Sequence, residues 1–504
     1  MAEYIFVETA FGLIRGESEG GVRIWRGIPY AAPATGELRF QKPQPFGSWE
    51  GTLDATRFGP VCPQNRNFRG RAAVTEMSED CLTLNIWAAA DPPPDGGGKR
   101  EVFFFIHGGS FAEGAGSDKE YEGSRLAREG GVVVVTINYR LGSLGFLNFS
   151  FLGEGFVPNC GLWDMLAALR WVRENISAFG GDPENITVCG QSAGAISLSA
   201  LVLNEEARGY IRRGIMMSGI PTVFHSADQA ETIARRFMEF MQIPDAEALR
   251  AMPCEMLTAR HKEFAGYCGM GAVTFAPCVD GEFVKRYPIA AALESEERGV
   301  PLLIGTTREE MSAAFYKSLS HLVDISEVKD GGIRAERADS KKRIAAAYKR
   351  YGKRGPKIMV SDFAFRIPSV WYAEARSKNA DTWMYRFDYE TFGMRISGLH
   401  SFHSSDIPFL FGNFRAGLAR YMFAITPVKI GARRMHRRFR GDFLAFVKTG
   451  ELPWPKCEGE KTPARCYKAA PFIEEAVDPE VKGAYEGSLF KQKSFAGENI
   501  IQID

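Results

Sequence analysis

No stretch of this chain is apolar for long enough to cross a bilayer: runs such as Val132–Val135 stop after a few residues, where a spanning helix needs about 20. Net charge is equally scarce. Against 62 Lys plus Arg stand 61 Asp plus Glu, and a formal charge of +1 removes any global electrostatic case for nucleic acid or an anionic membrane as partner. The start, with Glu3 and Glu8, lacks the basic, apolar and small-residue regions of a secretory leader. A cytoplasmic protein is expected, or a secreted one if a leader has been removed. Nine cysteines is an odd number for a fully paired framework; Cys62 with Cys81 and Cys457 with Cys466 are placed to close loops on oxidation, but reduced thiols are expected. The Asn-x-Ser/Thr sequons at Asn148, Asn175 and Asn185 then carry no message. His and Cys show no zinc-ligand spacing, so neither metal nor organic cofactor is expected. There is no repeat, no heptad pattern and no low-complexity linker. One large domain over residues 1–504 is the economical reading, with an inserted helical, regulatory subregion at about 315–395.

What is present is an ordinary globular composition, 45% hydrophobic and 24% charged, with 53 Gly, 26 Pro and 37 Phe. Tyr4–Val7 and Val22–Trp25 read as short strands, and Cys81–Trp87 alternates in the half-buried pattern. The Pro- and Gly-rich stretch at 90–100 reads as a surface loop. Val102–Ile106 and Val132–Asn138 are nearly continuous apolar runs rich in β-branched and aromatic residues, which suits strands buried on both faces of a parallel sheet. Trp163–Ile176 repeats apolar residues at helical spacing and stops at Phe179-Gly180-Gly181 with Pro183 beyond. Ile186–Cys189, Ala195–Leu203 and Ile211–Met217 continue as strand, helix and strand; Leu302–Gly305 and Thr382–Phe387 are later strands. A polar, helix-prone stretch lies at about 320–380, and 428–449 reads as a long helix closed by Gly450 and Pro453. Strands alternating with helices predict an α/β fold.

The chemistry is concentrated in Ile186-Thr187-Val188-Cys189-Gly190-Gln191-Ser192-Ala193-Gly194. G-x-S-x-G between a strand and a helix is a nucleophile elbow: Gly on both sides tolerates the crowding of a sharp turn that lifts Ser192 out of the sheet. The amides at the start of the following helix then face charge developing at the serine. His107-Gly108-Gly109-Ser110, at the end of the Val102–Ile106 strand, presents unobstructed backbone amides; Gly109, Ser110 and Ala193 together form a candidate oxyanion hole.

With these motifs in hand, the chain resembles the type-B carboxylesterase family of α/β hydrolases, in particular its para-nitrobenzyl-esterase-like members. The markers run in order: Arg26-Gly27-Ile28-Pro29-Tyr30-Ala31, Glu79-Asp80-Cys81-Leu82, Asn138-Tyr139-Arg140-Leu141-Gly142, Trp171-Val172-Arg173-Glu174-Asn175 and Phe179-Gly180-Gly181-Asp182-Pro183. The resemblance spans essentially the whole chain. It implies an α/β-hydrolase fold: a central, mostly parallel sheet flanked by helices, with a small N-terminal sheet and inserted helical subregions. It also implies hydrolysis of carboxylic esters with small to medium acyl chains through an acyl-enzyme. Carried over by motif, the nucleophile is Ser192, the acid is Glu310 in Leu303–Glu310, and the base is His403 before Ile407-Pro408-Phe409-Leu410-Phe411-Gly412. Glu309 and His400 are the near misses, and His400 is assigned to a structural or pocket-rim place. The partner implied is a small-molecule ester, with neither nucleic acid nor membrane, and the chain acts as a monomer or a homodimer.

Four positions depart from the family pattern. Gln191 stands where Glu is frequent, Ser110 where Gly or Ala is frequent, and Met311 where Gly is common. Residues 63–80 contain no Trp and instead carry Arg66, Arg69 and Arg71, which argues against a quaternary-ammonium cage and favours an acid-bearing ester. The alternative function, a non-catalytic cholinesterase-like binding protein, requires loss of triad members, and all three are here. Arg433, Arg434, His436, Arg437, Arg438 and Arg440 raise a nucleic-acid reading, but Met435, Phe439, Phe443 and Phe446 make the same segment an amphipathic helix with a solvated face. Phe111, Phe275, Phe315, Phe363, Phe365 and Phe402 are candidates for an aromatic gorge, though each singly is more typical of core.

Overall fold

The computed structural model describes residues 3–65, 74, 76–92, 98–311, 336–417, 419–423 and 430–498. Its strands are β1 (Glu3–Thr9), β2 (Gly12–Glu19), β3 (Val22–Pro29), β4 (Thr52–Asp54), β5 (Thr83–Ala89), β6 (Arg100–Ile106), β7 (Val133–Ile137), β8 (Gly181–Gln191), β9 (Arg213–Met217), β10 (Leu302–Thr307), β11 (Thr382–Phe387), β12 (Pro463–Tyr467) and β13 (Phe472–Glu475). They form one sheet in the order β1-β2-β3-β5-β7-β6-β8-β9-β10-β11-β12-β13, with β4 on β2. From β7 through β12 every neighbour is parallel. Apart from β4, which runs parallel to β2, the N-terminal strands pair antiparallel and join the parallel core through β3 on β5 and β5 on β7, so the small N-terminal sheet is hydrogen-bonded onto the large one.

The parallel strands are buried on both faces, as their apolar runs predict. In β6, Val102, Phe104 and Ile106 pack into one core, while Phe103 and Phe105 pack into the other. The half-buried expectation for β5 is corrected: all seven of its residues are buried. Its polar positions are satisfied inside, since Asn85 donates to Thr136 Oγ1 at 3.1 Å and accepts from the Gly27 amide at 2.9 Å. A pairwise-satisfied amide lets a strand look amphipathic in sequence while both faces are covered.

The helices that frame the site are α1 (Ser124–Gly130), α2 (Cys160–Asn175), α3 (Ala193–Leu201), α4 (Ile367–Arg376), α5 (Ile407–Phe411) and α6 (Ile430–Thr449). Past α2, one short 3-10 turn runs into Gly180 at φ +87°, a left-handed stop that glycine adopts without cost. Helices Ala338–Ala347 and Gly355–Ser361 precede α4 in the long connection from β10 to β11. The resemblance markers acquire physical roles here. Arg140 makes a bidentate pair with Asp164 of α2, at 2.8 and 2.6 Å, with both side chains almost fully buried, and Arg39 does the same with Glu79.

All nine cysteines are thiols, so neither Cys62–Cys81 nor Cys457–Cys466 is bridged. Among the described residues no helix is long and apolar enough to cross a membrane.

Candidate active site

The carboxyl ends of β6, β8, β9 and β10 lie side by side, and each delivers one component of the site. At the end of β8 the chain reverses into α3 through Ser192, whose φ of +54° and ψ of −120° form a strained turn for a residue with a side chain. The flanking glycines make the turn feasible: a Cβ on Gly190 would lie 2.2 Å from the Gly194 carbonyl oxygen, and one on Gly194 would lie 2.2 Å from that of Ile106. That last contact clamps the end of β6 against the start of α3. The glycine loop 107–110 therefore sits directly on the elbow, and Gly108 faces both the Gln191 side chain and Ser192 Cβ.

His107 holds this loop from below. Its Nδ1–H donates to the Gly108 carbonyl at 2.7 Å, its ring stacks on Tyr139 at 4.4 Å, and the Tyr139 hydroxyl donates to the His107 carbonyl at 2.8 Å. Burial drives the His107 imidazole down to about 4, so it stays neutral and structural. Among the described residues, the amides of Gly109 and Ser110 donate to no acceptor. The Ala193 amide opens α3 and is one of the donors that a helix start leaves without an intrahelical partner. The expected oxyanion amides are thus adjacent and uncommitted.

Glu310, just past β10, meets His403, which lies in the connection from β11 to β12. His403 Nδ1 lies 2.6 Å from Glu310 Oε2; a carboxylate only accepts, so the imidazole donates through Nδ1–H and leaves Nε2 as the acceptor. Glu310 is fully buried, and its other oxygen accepts from the Thr307 amide at 2.6 Å and the Ser218 hydroxyl at 2.7 Å. The main chains are joined as well, with the His403 amide donating to the Glu310 carbonyl at 3.2 Å. His403 Nε2 faces the elbow, 3.2 Å from Nε2 of Gln191, the residue next to Ser192. Gln191 also donates to Ser404 Oγ at 2.8 Å, and Phe365 packs on the imidazole at 5.0 Å.

The near misses are resolved by the same loops. Glu309 turns away from Glu310 and pairs with Arg354, while His400 Nδ1 lies 3.2 Å from Glu390. Glu309, Glu390 and His400 converge closely enough to hold a metal, but the Arg354 guanidinium already pairs with both carboxylates and supplies the positive charge. Of the gorge candidates, only Phe365 among the described residues packs on the His403 imidazole. Phe111, Phe275, Phe363 and Phe402 are buried core, with Phe111 against Phe146, Phe275 against His261 and Phe363 against Phe490. Phe315, Arg66, Arg69 and Arg71 lie outside the described residues.

Sequence reasoning missed Ser218, Thr307 and Asp406. Ser218 follows the last residue of β9 and Thr307 ends β10, and the carboxyl end of a parallel strand is where such a sheet places its chemistry, so position was the available signal. Asp406 carried none. It is fully buried and accepts from the Tyr385 hydroxyl at 2.9 Å, and burial, reinforced by Glu310, raises its carboxyl to about 7.

Residues 3–464 match the family model described as the carboxylesterase family. The chain is 37% identical over 466 residues to a para-nitrobenzyl esterase of Bacillus subtilis, covering 91% of this chain and 92% of that protein. It is 31% identical to a phenmedipham hydrolase of Pseudarthrobacter oxydans, covering 89% and 92%. Among solved structures, a PNB esterase superimposes with a TM-score of 0.82 at 32% identity, covering 96% of this chain and 99% of that one. The Geobacillus stearothermophilus carboxylesterase EST55 superimposes with a TM-score of 0.82 at 34% identity, covering 95% and 100%.

Proposed function

The chain belongs to the carboxylesterase family and is a carboxylic ester hydrolase, and from that premise we propose that it works as a serine esterase with Ser192 as nucleophile, His403 as base and Glu310 as the orienting acid. The observation that carries these assignments is the 2.6 Å Glu310–His403 pair with Nε2 turned toward the elbow. A serine hydroxyl becomes nucleophilic when a neighbouring imidazole removes its proton. Ser192 Oγ attacks the ester carbonyl as His403 Nε2 takes that proton, and the oxyanion collects on the amides of Gly109, Ser110 and Ala193. Glu310 steadies the imidazolium, which then protonates the leaving alcohol. Water, deprotonated by the same imidazole, attacks the acyl-serine; the acid leaves and Ser192 recovers its proton. Release of a non-catalytic relative from selection would cost triad members, and the intact constellation speaks for the enzyme.

We assign short to medium acyl chains to the substrate, on the support of Ser110 in the oxyanion loop and Phe365 packed on the imidazole, which narrow the space around the carbonyl. Nine thiols support a reducing, cytoplasmic setting. Measuring kcat/KM across p-nitrophenyl esters of graded chain length, beside Ser192→Ala, tests the reading. Turnover by the wild type that declines with acyl length, and none by the variant, is expected; a variant that keeps wild-type turnover refutes Ser192.

A further inference from the structure

The basic segment at 433–440, which ester hydrolysis does not use, forms one wall of a cleft of about 1070 Å³. Met435, Phe439, Phe443 and Phe446 are buried beneath α6 as an amphipathic helix requires, but its polar face is not uniformly solvated. Arg433, His436 and Arg437 enter the cleft, where they meet Lys119, Arg125 and Arg128 from α1 and the turn before it, and Arg415 from the loop after α5.

Six permanent cations thus share this wall with two carboxylates, Glu122 and Glu129, in a chain whose net charge is only +1. Both carboxylates are committed. Glu129 pairs with Arg440 and Arg125, and Glu122 accepts from the Ser124 amide and hydroxyl. Arg125 and Arg128 each spend one nitrogen on a backbone carbonyl, Gly412 and Gly20 respectively. Lys119, Arg415, Arg433 and Arg437 have no anionic partner among the described residues.

Two independent features point to a ligand. First, the opening turn of α6 carries no acid and holds Arg433, and Arg434 and Arg437 follow in the second turn. Cations at the positive end of a helix dipole are unfavourable, so local stability does not explain this placement, whereas an anion seated there relieves it. Second, His436 is more than nine-tenths buried and lines the cleft; its Nδ1–H donates to the Phe409 carbonyl at 2.7 Å, which leaves Nε2, with no partner among the described residues, as a lone-pair acceptor for the P–OH group of a partly protonated phosphate. Burial, with Arg440 and Arg125 adding to it, pushes that imidazole down to about 4, as expected in a wall of positive potential.

We infer that this cleft is a second binding site, distinct from Ser192 and His403, for a compact polyphosphorylated small molecule. Five of the six cations are arginines, whose planar forks bind phosphate oxygens in pairs. A concave volume of this size suits a small molecule, whereas nucleic acid binds along an extended basic track. The site adjoins the end of α5, the helix that follows the His403 loop.

Isothermal titration of the full chain with inorganic tripolyphosphate at fixed ionic strength of about 0.15 M tests the site, because at that strength diffuse attraction is screened within roughly 8 Å. Saturable one-to-one binding is expected. Arg433→Glu combined with Arg437→Glu should weaken it at least about a hundredfold, from two lost charge-assisted contacts. Arg434→Glu combined with Arg438→Glu, the same charge change outside the cleft wall, should weaken it less than about threefold. Ester turnover in both double variants serves as the fold check and should match the wild type. Absence of saturable binding, equal loss in the two double variants, tighter binding of citrate than of tripolyphosphate, or displacement of tripolyphosphate by a single-stranded oligonucleotide at lower concentration would each overturn the assignment.

Discussion

Replacing Glu310 with Gln keeps the side chain's shape and reverses its hydrogen-bonding logic. In the native site Oε1 accepts from the Thr307 amide and the Ser218 hydroxyl, and Oε2 accepts from His403 Nδ1–H. A hydroxyl can rotate to accept, but the Thr307 amide can only donate. The Gln carbonyl oxygen is therefore held at Thr307, and its NH2 is forced onto His403 Nδ1. That arrangement demands the Nε2–H tautomer, in which the imidazole cannot take the Ser192 proton. Turning the amide round restores the working tautomer but leaves a buried Thr307 N–H facing an NH2, a cost of up to about 3 kcal/mol, or about 10²-fold in competent enzyme. Loss of the charge-assisted bond to the imidazolium removes a further ~1.5–3 kcal/mol, and the two together amount to about 10³- to 10⁴-fold in kcat, the scale on which such triads respond. The assay is kcat on p-nitrophenyl acetate with active-site titration, beside thermal unfolding to establish that the variant is folded. Glu309→Gln is the matched control. It breaks a pair with a half-exposed guanidinium and should stay within about fivefold of the wild type. A folded Glu310→Gln enzyme within tenfold of wild-type kcat would refute the assignment of Glu310 as the acid, as would a larger loss in Glu309→Gln.

Two other outcomes follow from the geometry. A Cβ on Gly108 would lie 2.5 Å from Gln191 Oε1 and 2.9 Å from Ser192 Cβ, so Gly108→Ala should displace the elbow and lower kcat about 10²-fold with native circular dichroism; unchanged kcat would show that the loop has room. Asp406 has its carboxyl raised from the usual carboxylate range to about 7, so the stability it contributes is fully present below about pH 4 and is lost as pH rises through 7. Urea unfolding of Asp406→Asn should therefore gain on the wild type between those limits, by up to about 1.4 kcal/mol per pH unit, and a difference independent of pH would contradict the buried, proton-holding carboxyl.

The strands of the parallel core and the elbow were legible because each is a local pattern. Val102–Ile106 and Val132–Asn138 announce burial on both faces by composition, and Gly190–Gly194 is intelligible from the crowding of one turn. Cys81–Trp87 misled for a physical reason: alternation reports side-chain polarity, and a buried Asn85 paired with Thr136 is polar without being exposed. β2, β12 and β13, near the two margins of the sheet, also escaped: β12 and β13 are only five and four residues long, and β2 is rich in glycine and charge.

The amino-acid order by itself singled out Ser192 as the candidate nucleophile and Gly109, Ser110 and Ala193 as candidate oxyanion amides, because motif and spacing act over a few bonds, and the family resemblance supplied Glu310 and His403. It left Glu309 against Glu310 and His400 against His403 to be separated by motif alone, and contained no pointer to Asp406, to the donors that hold Glu310, or to the cleft into which half of a basic helix faces. Those are properties of segments tens to hundreds of residues apart, brought to the carboxyl edge of one sheet by strand order. Direction and proximity at that edge are set by packing, and only the folded chain decides them.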